Sequence, residues 1–84
     1  MKPIRLTNHA YEQCIERGAT VNEVEIAISQ GVREPAKMGR EICRFNFQFN
    51  NIWQGNIYAI KQVAPVFKEE PNEIVVITVY TFYF

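Results

Sequence analysis

The chain is poor in the residues on which most recognisable chemistry depends. Its two cysteines, Cys14 and Cys43, and its one histidine, His9, do not make a metal-binding spacing. In a reducing compartment the cysteines read as buried free thiols. The four glycines, Gly18, Gly31, Gly39 and Gly55, stand apart at expected turns, which excludes a Gly-rich phosphate loop. The longest apolar stretch, residues 74–84, is interrupted by Thr78 and Thr81 and is far too short to span a bilayer. The first residues lack the basic, apolar, small-residue order of a secretion signal, so a cytoplasmic location is expected. Nothing implies a cofactor. Nine Lys and Arg balance nine Asp and Glu, and a net charge of zero excludes a broad basic footprint on nucleic acid.

What is present is an ordinary globular composition, 48% hydrophobic and 21% charged, in 84 residues. That length makes one domain, residues 1–84, and a chain of this size buries only about two-thirds of its unfolded surface. The charge is unevenly spread. Residues 32–44 hold Arg33, Lys37, Arg40 and Arg44 against Glu34 and Glu41, while Glu69, Glu70 and Glu73 cluster near the other end. A small basic groove is compatible with this distribution.

Periodicity divides the chain into two helices and then strands. Residues 2–6 read as a lead-in strand or arm. Thr7 or Asn8 offers an N-cap for a helix that runs to Arg17 and closes at Gly18. At 100° per residue, Ala10, Tyr11, Cys14 and Ile15 share an apolar arc, and His9, Gln13 and Arg17 follow one another at i, i+4 and i+8 on the polar side. Thr20-Val21-Asn22-Glu23 has the form of a capping box and starts a second helix, apolar at Val21, Val24, Ala27 and Ile28 and ended by Gly31. Residues 42–49 then alternate, with Cys43, Phe45, Phe47 and Phe49 facing a core. Asn50-Asn51 or Gly55-Asn56 supplies the turn, and residues 57–67 form the next strand, with Pro65 marking an irregular or edge end. Residues 68–73 are a loop. Residues 74–84, β-branched and aromatic, read as a central strand covered on both faces. The expected fold class is α+β, two N-terminal helices packed on a small antiparallel sheet of three to four strands.

One constellation has chemical content. His9 lies in a first helical turn, where the positive end of the helix dipole favours the neutral imidazole that a general base needs. Arg17 brings a permanent planar donor suited to a phosphate. A structural reading competes with this one: a first-turn His caps or packs, and an Arg before a helix-ending Gly binds the last carbonyls or a neighbouring Glu. Arg44, on the non-aromatic face of its strand, is placed to meet His9 across a groove, or is a solvated strand residue. Arg40 and Lys61 are similar candidates, and Lys61, the only charge inside an apolar strand, is expected at the sheet surface. The aromatic residues Phe45, Phe47, Phe49, Trp53, Tyr58, Tyr80, Phe82, Tyr83 and Phe84 read first as core, and second as a base-stacking surface. Phe82, Tyr83 and Phe84 cannot all face one core, which leaves aromatic surface for a partner.

The run TNHAYEQCIERGATVNEVEIAISQG resembles the opening signature of the uncharacterised DUF-4258 family, a Thr-x-His-Ala, then Arg-Gly-Ile, then a second helix with Glu-Val and a closing Gly. GREICRFNF and EIVVITVYTFYF are similar to that family's middle and final strands. The family is grouped with the barnase–EndoU–colicin–RelE superfold, small α+β domains that include toxin ribonucleases. The resemblance implies a toxin-like, metal-independent endoribonuclease acting on RNA. By that resemblance His9 would be its base or acid, Arg17 would neutralise the phosphate, and the hydroxyls of Thr78 and Tyr80 would bind substrate; Arg44 and Lys61 are candidate substrate contacts from their strand positions alone. RNA carries its own nucleophile, the 2′-hydroxyl, so cleavage needs a base, a cation and an acid. Two positions depart from the signature: Gln13 stands where family members often carry Arg, and Ala19 replaces the usual Ile. The alternative is a non-catalytic interaction module of the same fold, binding an antitoxin protein or a second copy of itself.

Overall fold

The structure, a computed structural model describing residues 1–84, has the element order β1 (Ile4–Leu6), α1 (Asn8–Arg17), α2 (Val21–Gln30), β2 (Val32–Pro35), β3 (Glu41–Trp53), β4 (Asn56–Glu69) and β5 (Ile74–Tyr83). A single 3₁₀ turn, Lys37–Gly39, joins β2 to β3. The fold is α+β, but the sheet has five strands, in the order β1-β5-β4-β3-β2, where three or four were expected. It is also mixed: β1 runs parallel to β5 and every other neighbouring pair is antiparallel. The unexpected strand, β2, has all four residues exposed, so no buried alternation betrays it in the sequence.

The helix termini form as their sequences dictate. Thr7 accepts from the Ala10 amide at 3.1 Å, which makes it, not Asn8, the N-cap of α1. Thr20 and Glu23 complete the reciprocal capping box of α2. Gly18 ends α1 with φ +75°, a left-handed conformation, and a Cβ there would lie 2.6 Å from the Tyr83 hydroxyl and 2.7 Å from the Trp53 ring. Gly31 has an extended conformation, and its missing Cβ serves close approach instead: a methyl would meet the Arg44 carbonyl oxygen at 2.6 Å.

Both helices pack on one face of the sheet. Ala10 and Cys14 of α1 and Val24, Ala27 and Ile28 of α2 meet Cys43 of β3, Val63 and Phe67 of β4, and Ile74, Val76 and Val79 of β5. Burying these side chains is the main stabilising term, about 1.5–3 kcal/mol for each large one. The two thiols are free and buried, and burial pushes both up from the ordinary thiol range. Neither helix is long and apolar enough to cross a membrane.

Four local expectations are corrected. Tyr11 and Ile15 are 49% and 82% exposed, because α1 docks through the small residues Ala10 and Cys14 and tilts its Thr7 and Arg17 ends toward β5 carbonyls. Pro65 is not at an edge or an end: it is fully buried in the middle strand of the sheet, paired with Val79 of β5, and lacking an N–H it leaves only a local gap in the β3–β4 pairs, whose register runs on unchanged from Ile42↔Val66 to Phe45↔Val63. The hairpin turn is Gln54-Gly55, and Asn50, with φ +46°, marks a bulge within β3. Strand β5 is covered on one face only: Ile74, Val76 and Val79 are buried, while Tyr80 and Phe82 remain 42% and 44% exposed.

Candidate functional site

The second face of the sheet, away from the helices, carries the candidate site. The register sets its side chains in rows across three strands: Ile42, Val66 and Thr78; then Ala64 beside Tyr80; then Asn46, Gln62 and Phe82. The loop from β2 to β3 folds over one end of these rows. Ala36, Lys37 and Arg40 of that loop line an open depression of 340 Å³ whose other walls are Ile42, Val66, Thr78 and Tyr80.

Helix α1 borders the same depression from the side. It runs beside β5, and its His9 Nε2 lies 3.3 Å from the Thr78 hydroxyl, with the imidazole exposed. One nitrogen of the Arg17 guanidinium donates to the Val79 carbonyl at 2.9 Å, and the guanidinium carbon lies 5.0 Å from the centre of the Tyr80 ring. Eight helical residues separate His9 from Arg17, about 12 Å of rise, but an Arg side chain leans back toward the helix N-terminus. The two groups thereby address neighbouring same-face positions of β5, Thr78 and Tyr80, about 7 Å apart along a strand. Between them sits Gln13, whose Oε1 is buried with no donor in reach.

The carbonyl of Arg17 is held as firmly as its side chain, accepting from Thr81 Oγ1 at 2.9 Å and from Tyr83 Oη at 2.6 Å. Burial pushes the Tyr83 phenol upward, so it stays a donor. The end of α1 is thus fixed to β5 by three side-chain bonds, which positions Arg17 rigidly.

Four of the expected site residues, His9, Arg17, Thr78 and Tyr80, are therefore neighbours. Arg44 lies on the same face, one row further along, with its guanidinium 5.8 Å from the Phe82 ring and 3.3 Å from Gln62 Oε1. Lys61 is the exception and a correction. It points to the helix side, 7% exposed, where its ammonium binds Glu23 at 2.8 Å and the Gly18 carbonyl at 2.9 Å and lies 5.4 Å from the Phe49 ring. A lone cation in an apolar strand signals either exposure or a buried partner, and its partner, on α2, is 38 positions away in sequence.

The electrostatics separate the two faces. Lys2, Arg5, Arg33, Arg44, Lys61 and Lys68 each have a carboxylate within 4 Å. Of the nine cations, the three left without one are Arg17, Lys37 and Arg40, and all three border Tyr80. Lys37 was visible in the sequence only as part of the basic excess in residues 32–44. Two larger depressions measure 470 Å³ each: one is walled by the close Arg5–Glu73 pair, and the other continues the open face past Arg44, Asn46 and Gln62, where Arg44 has only a long, exposed contact with Glu34 at 3.8 Å.

No family model, no curated protein and no solved structure matches the chain. The chemistry of the depression rests on its own geometry.

Proposed function

We propose that the chain is a toxin-like, metal-independent endoribonuclease of the DUF-4258 type, working in the cytoplasm, with its reaction centre in the depression bordered by His9, Lys37, Arg40, Thr78 and Tyr80. One observation carries the reading: in a protein of zero net charge, the three cations without a carboxylate partner surround one exposed aromatic ring beside the only histidine. Leaving cations unpaired side by side costs self-repulsion, which an anionic ligand relieves.

The reaction that suits these groups is attack by the RNA's own 2′-hydroxyl. With Nε2–H of His9 donated to Thr78, Nδ1 carries the lone pair that takes the hydroxyl proton. The 2′-oxygen bonds to phosphorus, the bond from phosphorus to the 5′-oxygen breaks, and that oxygen takes a proton from the Lys37 ammonium. The products are a 2′,3′-cyclic phosphate and a 5′-hydroxyl end. Arg40 neutralises charge developing on the phosphate, and Arg17, one position along β5, holds the adjacent phosphate.

A second reading is favoured by the sheet edge. Strand β2 is the outermost strand at the other end of the sheet from β1, with all four residues exposed and no strand beyond it, and an antitoxin or a second copy could add one there.

The test is bacterial growth on induction of the parent protein, His9→Ala and Arg17→Ala at equal soluble levels, with RNA end analysis. Growth arrest with cyclic-phosphate ends in the parent alone supports the enzyme. Normal growth and intact RNA in all three sinks it and leaves the interaction module.

A further inference from the structure

The open face extends beyond the depression. Tyr80 and Phe82 are successive same-face residues of β5, and their rings stack at 6.5 Å with a 22° interplanar angle. Each ring also carries a guanidinium, Arg17 on Tyr80 at 5.0 Å and Arg44 on Phe82 at 5.8 Å. Phe84, at the end of the same stripe, is 56% exposed. Beside Phe82, the Gln62 amide donates to Asn46 Oδ1 at 2.9 Å and accepts from Arg44. Aromatic residues were expected mainly in the core; here three stay on the surface, interleaved with cations and amides.

We propose that this face is a platform for single-stranded RNA, on which bases flanking the scissile nucleotide stack against Tyr80 and Phe82 while Arg44 joins Arg17 in holding phosphates. The choice of RNA rests on the ribonuclease reading of the adjoining depression. The chemistry of the platform is its own argument. Exposed rings spaced about 7 Å apart along a strand accept flat π-systems in succession. Charge complementarity supplies the rest, because the one carboxylate near these cations is Glu34, 3.8 Å from Arg44 and half-exposed, a screened contact that a phosphate readily replaces. A duplex cannot use the rings, since its bases are already stacked inside the helix.

The test holds RNA uncut on the His9→Ala protein and follows fluorescence anisotropy of one short labelled RNA, alone and annealed to its complement, at one salt concentration. The single strand binds about tenfold tighter than the duplex, and Phe82→Leu in the same background removes that advantage while duplex binding stays put. Phe82→Trp, which keeps a stacking ring, retains it. Matched melting temperatures show that the variants are folded. Equal affinity for strand and duplex overturns the platform, as does Phe82→Leu binding the single strand as tightly as its parent. The two readings fail separately. A protein that cuts strand and duplex alike is a ribonuclease without this platform. One that binds strands selectively through Phe82 yet cuts nothing has the platform without the enzyme.

Discussion

Strands β3, β4 and β5 present alternate residues to two faces that treat charge in opposite ways. On the helix side, Lys61 is buried and saturated by Glu23 and the Gly18 carbonyl. On the open side, Arg17, Lys37 and Arg40 have no carboxylate, and Tyr80 and Phe82 keep more than two-fifths of their surface in solvent. A cation whose valences are filled inside the protein holds the fold together, and a cluster whose valences are unfilled awaits something from outside. The difference explains how a chain of zero net charge can carry a local excess of positive charge: the carboxylates that balance those three cations lie elsewhere.

Substitutions at His9, on the open side, and at Lys61, on the helix side, separate the two faces most sharply. His9→Ala lowers RNA cleavage by about a hundredfold or more, as loss of a general base does, with the melting temperature unchanged. Lys61→Ala does the reverse at the level of the fold: it strands Glu23, partly buried, and costs about 3 kcal/mol in chemical denaturation. Replacing both partners, Lys61→Met with Glu23→Gln, recovers much of that loss. Should Lys61→Ala prove as stable as the parent and Lys37→Ala with Arg40→Ala prove unstable, the assignment of the two faces is backwards.

Gly18→Ala probes the joint between the faces. It places a side chain at positive φ against Tyr83 and Trp53, which costs about 2 kcal/mol and loosens the anchor of Arg17, so activity falls with stability. The double variant Lys37→Ala with Arg40→Ala leaves the melting temperature in place and flattens the salt dependence of RNA binding, by about 1.4 in log–log slope if each cation neutralises one phosphate. The smallest effect belongs to the sheet's far end. Hydrogen bonds from Lys2 and Arg33 hold the Glu69 carboxyl below its usual range, and Arg5 does the same for Glu73. A carboxyl lowered on folding stabilises above the ordinary carboxylate range and loses that contribution as pH falls through the range toward its depressed value. Melting temperature therefore declines in acid, and Glu69→Gln with Glu73→Gln makes the decline slightly shallower, the pairs being solvent-screened.

Much of this was legible in residues close together in sequence. Thr7 and Thr20 as caps, Gly18 as a left-handed stop, and the alternation through Cys43, Phe45 and Phe47 depend on contacts within a few positions, which a one-dimensional pattern records. The pairing of His9 with Arg17 on one helical face was legible for the same reason. The pattern misjudged Tyr11 and Ile15, because an apolar arc says which residues prefer burial and not which edge of the arc docks.

Other features were decided only when distant segments met. Pro65 sits in the middle of the sheet because β3 and β5 pair on either side of its strand, an arrangement that chain order does not show. Arg33, one of four cations in a basic stretch, turns to the helix side and binds Glu69 and Glu41, while Lys37, Arg40 and Arg44 turn to the other. The sequence by itself determined two capped helices, an aromatic alternating strand and the local excess of positive charge. Which of those charges are free, and which rings they surround, was set by tertiary structure alone, because partnership between a cation and a carboxylate is a matter of distance in space, and strand pairing brings together residues that chain order keeps apart.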